Sequence, residues 1–192
     1  KREKAAPAGK PSRTEVSIPQ ALQLATKHHL AGNLSAAEKI YRAILDTKSD
    51  HPIALHLLGV VSHQSGKHEL AIDLISRAIQ VQPNLAEAFN NLGLAQQSMN
   101  RLREAVVSYR KAIAIKPDFV EALSNLGVSV QQLGDVEEAE TCYRRALTLK
   151  PDFAEAHYNL GNVLRERQNP EGAARSYRDA IHTKPGHREA HN

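Results

Sequence analysis

The sequence has 192 residues, a formal net charge of +4, 4% aromatic residues with no tryptophan, and a single cysteine. One cysteine excludes an internal disulfide, and so few rings exclude a core built on large aromatics, so Leu, Ile, Val and Ala must fill it. No apolar run approaches the ~18–20 residues of a membrane span, so no membrane contact is expected.

The charge is unevenly placed. Residues 1–17 hold five basic and two acidic residues, net +3, which leaves 20 basic and 19 acidic, net +1, on the rest. A nucleic-acid partner needs a basic face on the body, and none is expected here. The lone cysteine fits a reducing compartment, so a cytoplasmic location is expected. The chain opens at Lys1 without an initiator Met, as a fragment or processed product does.

Residues 1–17 have no apolar periodicity, and their Lys, Ala, Pro and Gly content reads as a basic flexible extension. Beyond them the chain repeats itself. "AEAFNNLGLAQQ", "VEALSNLGVSVQQ" and "AEAHYNLGNVLRE" begin at Ala86, Val120 and Ala154, 34 residues apart. Extending the period backwards gives five units, 18–51, 52–85, 86–119, 120–153 and 154–187. Residues 188–192 match the truncated start of a sixth.

Each unit reads as two helices. The first carries Leu24, Leu58, Leu92, Leu126 and Leu160, followed by Ala25, Gly59, Gly93, Gly127 and Gly161. A helical Gly costs roughly 1 kcal/mol against Ala. Four in register imply a neighbouring helix backbone packed too close to admit a Cβ. The second helix carries Ala37, Ala71, Ala105, Ala139 and Ala173, and four residues later Tyr41, Ile75, Tyr109, Tyr143 and Tyr177. That offset puts both on one helical face. Gly32, Gly66, Asn100 and Gly134 suit left-handed caps between the helices. Pro83, Pro117, Pro151 and Pro185 close the second helices. Pro170 falls in a first turn, where it is tolerated.

This pattern resembles the tetratricopeptide repeat (TPR) family over residues 18–187. The first unit departs most, with Ala25 for Gly, Ile44 for Ala and Ser49 for Pro. The resemblance implies an all-α fold: a right-handed α-solenoid of five helix-turn-helix repeats plus the start of a sixth, with first helices lining a concave groove.

Asn91, Asn125 and Asn159 stand just before the Leu-Gly pair, where the first unit has Gln23 and the second Leu57. Asn is a mediocre helix former, so three aligned copies suggest use. A carboxamide both donates and accepts, as a peptide backbone does whatever its side chains. These residues are expected to stay free of intrachain partners. The ladder resembles the repeat arm of O-GlcNAc transferases, which implies docking of extended polypeptides. Asn90, Tyr158, Asn162, Arg165, His56 and His63 join the candidate peptide-binding set. A metal site from His29, His56 and His63 is set aside for solvated groove histidines, so no metal or cofactor is expected. Cys142 reads as a small core residue.

The clamp with which some TPR domains grip acidic chaperone tails does not fit. Glu87, Glu121 and Glu155 would repel a carboxylate, and His56, Asn90 and Ser124 replace its Lys. The sequence offers no phosphate loop, nucleophile elbow or zinc-spaced Cys/His cluster, so no enzyme activity is assigned to this segment. The expected function is a protein-interaction scaffold for a protein or peptide partner. The alternative is the substrate-recognition arm of a larger O-GlcNAc transferase-like glycosyltransferase. The open C-terminal repeat, with Ala180 and Ile181, is expected to recruit another surface and self-associate.

Overall fold

A computed structural model describes residues 16–183. The parts of the basic extension and of the partial sixth unit that fall on 1–15 and 184–192 lie outside the described residues. Ten helices follow one another: α1 (Ile18–Leu30), α2 (Leu34–Thr47), α3 (Pro52–Gln64), α4 (His68–Val81), α5 (Ala86–Ser98), α6 (Leu102–Ile115), α7 (Val120–Gln132), α8 (Val136–Leu149), α9 (Ala154–Glu166) and α10 (Pro170–Thr183). There is no strand among the described residues. The chain is an α-solenoid of helix pairs, α1 with α2 through α9 with α10, as the sequence predicts.

The turn within each pair explains where the first helix stops. Gly32, Gly66 and Gly134 sit at φ of +75°, +76° and +91°, and Asn100 at +58°. The left-handed residue sends its amide, and that of the next residue, back to carbonyls of the helix's last turn: Gly134 to Gln131, and Asp135 to Val130, both at 2.9 Å. Those bonds satisfy orphan carbonyls. In the fifth pair the left-handed position is Gln168, at φ +58°, a residue type that gives no sequence signal for it. Asp135 and Asn169 then cap α8 and α10 by accepting from the amides of Glu138 and Gly172 at 3.0 Å.

Each pair is held by the second-helix Ala and ring. The five Ala residues are buried, as are Tyr41, Ile75, Tyr109 and Tyr143. The helical glycines make room for these side chains rather than for a helix backbone. A Cβ on Gly93, Gly127 or Gly161 would lie 2.5, 2.6 and 2.5 Å from Cε1 of Tyr109, Tyr143 and Tyr177. At Gly59 the intruding atom is Cγ1 of Ile75, at 2.5 Å, with the Ala71 carbonyl oxygen next at 3.2 Å. The expectation of backbone-to-backbone contact is therefore corrected: the nearest neighbour is a side chain, Ile75 at Gly59 and a Tyr ring at the other three. The first pair has Ala25 in this place, and it is fully buried.

Between pairs, α3 touches α5, α5 touches α7 and α7 touches α9, while each second helix packs on the next first helix. Successive first helices are therefore neighbours along one side of the stack. Leu58, Leu92, Leu126 and Leu160 are at most 9% exposed, whereas Leu24, at the same repeat position, is 46% exposed. No described helix precedes α1 to cover it.

Candidate functional site

The side of the stack formed by the first helices carries a series of side-chain bonds between neighbouring pairs. The fifth position of one first helix meets the sixth position of the next. Asn91 Nδ2 donates to His56 Nε2 at 2.9 Å, and Asn125 Nδ2 donates to Asn90 Oδ1 at 3.0 Å. Both bonds span 35 residues, one repeat plus one. A second row joins the twelfth position to the thirteenth: His29 Nε2 meets Gln64 Oε1 at 2.8 Å, and Gln131 Nε2 donates to Glu166 Oε2 at 3.3 Å.

Two of the three ladder residues therefore have intrachain partners, against expectation. The physical reason is reach. The first helices lie close enough for a carboxamide on one to meet an imidazole or a carboxamide on the last. The third rung breaks that rule. Ser124 stands opposite Asn159, is 1% exposed, and its Oγ has no hydrogen-bond partner. Its side chain is too short to serve as the acceptor that Asn90 and His56 provide. Among the described residues Asn159 makes no side-chain hydrogen bond, and it is half-buried.

The remaining candidate residues divide in the same way. Tyr158 is 56% exposed and its ring leans on Tyr177, centroids 5.8 Å apart. Arg165 is exposed. Asn162 is engaged, because its Oδ1 accepts from the Tyr177 hydroxyl at 2.9 Å. Gln23 is exposed on α1. Asn90 is buried.

The histidines are not a solvated groove set. His56 is buried, and that burial pulls its pKa below the ordinary imidazole value, against a weaker opposing pull from Glu87. A nitrogen that accepts from Asn91 carries no proton, so the ring is neutral with its hydrogen on Nδ1. His63 Nδ1 lies 3.1 Å from Nδ1 of His68, and burial, then the neighbouring His68, lowers its pKa. His29, His56 and His63 thus go to three separate partners.

Glu87, Glu121 and Glu155 are exposed, and Glu87 pairs with Lys116 at 3.7 Å. Cys142 is buried, which raises its thiol to about 11. At the α9–α10 end a cleft of about 930 Å³ is lined by Phe153, Tyr158, Asn162, Arg165, Tyr177 and Ile181, among others.

Sequence reading missed the residues that support the rings. Gln97 and Gln131 accept from the hydroxyls of Tyr109 and Tyr143 at 2.9 and 3.4 Å. Their aligned recurrence in the third and fourth units was the available signal. It also missed His68, which stands where the other second helices begin with Leu34, Leu102, Val136 and Pro170. No described helix is long and apolar enough to cross a membrane.

Known proteins agree with this architecture. Residues 59–100, 98–134 and 131–166 match the family described as TPR repeat, and 156–189 match a second family described as tetratricopeptide repeat. No curated protein matches the sequence. Among solved structures, MamA superposes with a TM-score of 0.76 at 21% identity, over 83% of this chain and 94% of that one. PilF of Pseudomonas aeruginosa gives 0.80 at 20% identity, over 86% and 75%. YrrB, described as a TPR protein with an unusual peptide-binding site, gives 0.71 at 21% identity, over 91% and 90%. At these identities the likeness speaks for the fold. Together with the family match over more than half its length, it carries the conclusion that this chain belongs to the tetratricopeptide repeat family.

Proposed function

We propose that the chain is an interaction scaffold that binds an extended polypeptide along its first helices. Each of the five proposed units, 18–51 to 154–187, contributes one such helix. One observation carries the reading: the half-buried Asn159 carboxamide has no intrachain partner among the described residues, and it stands in a row with Asn91 and Asn125. Tyr158 and Arg165 beside it are exposed, one able to stack and the other to hold a carboxylate or carbonyl. Asn91 and Asn125 keep their Oδ1 atoms for a peptide amide, since only Nδ2 is committed. Asn90 and His56 support this row by accepting from Asn125 and Asn91, Asn162 and His63, bonded to Tyr177 and His68, remain candidate contacts beside it, and Gln23 extends it onto α1. No chemistry is assigned to the segment. The arm of a larger O-GlcNAc transferase-like enzyme would use the same row, and that reading rests on the Asn resemblance alone. A reducing, cytoplasmic setting suits the lone Cys142.

Self-association belongs to the same reading. The cleft at α9–α10, walled by Phe153, Tyr177, Ala180 and Ile181, lies on the side where each earlier pair meets its next first helix, and we take α1 of a second copy as its occupant. Leu24 there lacks the cover that its four counterparts have.

The test is a displayed library of unstructured peptides, selected on the chain and rescored on Asn159→Ala, Asn91→Ala and Tyr158→Ala. Asn159→Ala and Tyr158→Ala should each lower affinity several-fold across unrelated peptides, with helix content intact. Equal binding by Asn159→Ala and the parent would move the site elsewhere.

A further inference from the structure

We propose that His63 and His68 form a chelating site for a late first-row divalent cation, with Cu²⁺ bound most tightly. Their Nδ1 atoms lie 3.1 Å apart. With metal–imidazole bonds of about 2.0–2.1 Å, that separation corresponds to a nitrogen–metal–nitrogen angle of about 100°. This lies between the right angle of tetragonal geometry and the tetrahedral angle. The rings are tilted 53° to each other with centroids 5.0 Å apart, so neither covers the other's nitrogen.

The backbone holds the pair in place. His63 is in the last turn of α3 and His68 opens α4. The turn between them is closed by Gly66 N–H donating to the His63 carbonyl and Lys67 N–H to the Ser62 carbonyl, both at 2.9 Å. Gly66 takes the left-handed φ of +76° that this turn requires. The two imidazoles are thus fixed by helix ends rather than by a loose loop, and little ordering remains to oppose binding.

The other units serve as internal references. Where the second unit has His63, His68 and Ile75, the third has Gln97, Leu102 and Tyr109, and the fourth Gln131, Val136 and Tyr143. In those units the Gln supports the Tyr hydroxyl. Ile75 has no hydroxyl to support, and the twelfth position of this unit is His, as it is in the first, where His29 meets Gln64 and the second helix opens with Leu34 instead. The second unit replaces the apolar first residue of its second helix with another His. Among the described units this one alone joins a His at the twelfth position to a His at the start of its second helix, and the two imidazoles meet across the turn.

Among the described residues no group of three or more His, Cys, Asp and Glu side chains gathers as a metal site. Lys67 is engaged with Glu38, and Glu69 with Arg101. The ion therefore has two protein ligands, and water fills its other positions. One lone pair from each Nδ1 goes to the metal. The hydrogen that lies between the two rings in the free protein moves to Nε2 of its own ring, so neutral rings release no net proton. The expected order of affinity follows the series Zn²⁺ < Cu²⁺ > Ni²⁺.

Calorimetric titration of the whole chain with CuCl₂, NiCl₂ and ZnCl₂ tests the site, alongside the thermal midpoint with and without ion. His63→Gln and His68→Leu copy the third unit and are chosen to preserve the fold. Each should weaken the first equivalent of Cu²⁺ at least tenfold and abolish its thermal shift, while His182→Gln on the exposed end of α10 should change neither. If the first equivalent binds both variants as it binds the parent, or if His182→Gln weakens it as much, the site is overturned. A parent that binds no Cu²⁺ below millimolar concentration overturns it too, and leaves the pair as an imidazole–imidazole hydrogen bond.

Discussion

Asn125 donates from Nδ2 to Oδ1 of Asn90 at 3.0 Å, and so ties α7 to α5 through two side chains of the same type one repeat apart. Asn90 is buried, so its carbonyl oxygen has little access to water. Removing the donor leaves a buried acceptor unpaired, which typically costs about 1–3 kcal/mol. Asn125→Ala should therefore destabilise the chain by about 1 kcal/mol or more. Urea unfolding of Asn90→Ala, Asn125→Ala and the double variant gives the coupling directly. A coupling of about 0.5 kcal/mol or more is expected, and strict additivity would mean that the rung contributes nothing.

The Tyr143 ring over Gly127 gives a second expectation. A Cβ on Gly127 would lie 2.6 Å from Cε1 and 2.8 Å from Cζ of that ring. The ring is fully buried and cannot swing into solvent. Overpacking of this kind costs typically about 1–3 kcal/mol, and Gly127→Leu should reach or exceed the upper end. Gly127→Ala should cost less, and adding Tyr143→Leu should recover part of its loss. Thermal melts of the four proteins decide it. Equal midpoints for Gly127→Leu and the parent would show that the ring moves freely.

Much of this architecture is legible because a repeat prints its own controls. The period, the Ala–ring contact and the left-handed turns all follow from residue types whose physical options are narrow. Gly at a left-handed φ and Pro after a helix are examples. The rungs were illegible for a different reason. Whether Asn91 is free depends on the distance from α3 to α5, and no spacing within the sequence states it. Gln168 was missed because a Gln in a left-handed turn has no sequence signature. The role of the helical glycines was half-read: a close neighbour was evident, but a side chain and a backbone both demand the missing Cβ.

Acid should loosen the second and third pairs before the fourth. His56 and His63 both have pKa values held below 6.5, chiefly by burial. Between the lowered folded value and the unfolded one, the unfolded chain binds more protons, so stability falls as pH drops. The contribution is fully present above about pH 6.5 and is lost as pH falls through the folded values. Protonating His56 also removes the lone pair that accepts from Asn91. The Asn90–Asn125 rung carries no titrating group and should hold. Hydrogen exchange at pH 7.5 and pH 5 should show α3 and α5 losing protection ahead of α7. His56→Gln should flatten the dependence by keeping an acceptor without a titration. Uniform loss along the stack would count against the assignment.

The proposed self-association would join α10 of one copy to α1 of another by the same packing rule that joins the interior of the stack. Within the chain, each second helix and first helix together cover the Leu that precedes the Gly of the next first helix. Leu24 lacks that cover, and Ile18 and Ala21 line the same apolar surface. The α9–α10 end offers the seat, with Phe153, Tyr177, Ala180 and Ile181 on its wall. Ile181 is 62% exposed. A contact between α10 of one copy and α1 of another is heterologous, so it does not close on a pair and builds a ring or an open filament. Sedimentation velocity should show species that lengthen with concentration rather than a single dimer. Leu24→Glu and Ile181→Glu lie on exposed positions, so each should leave the fold intact while reducing the chain to monomer. Mixing the two variants is the sharper trial. Leu24→Glu keeps a sound α10 end and Ile181→Glu a sound α1 end, so together they should form a one-to-one complex and stop there. Monomers alone in the mixture, or long species from either variant by itself, would show that the ends do not meet in this way.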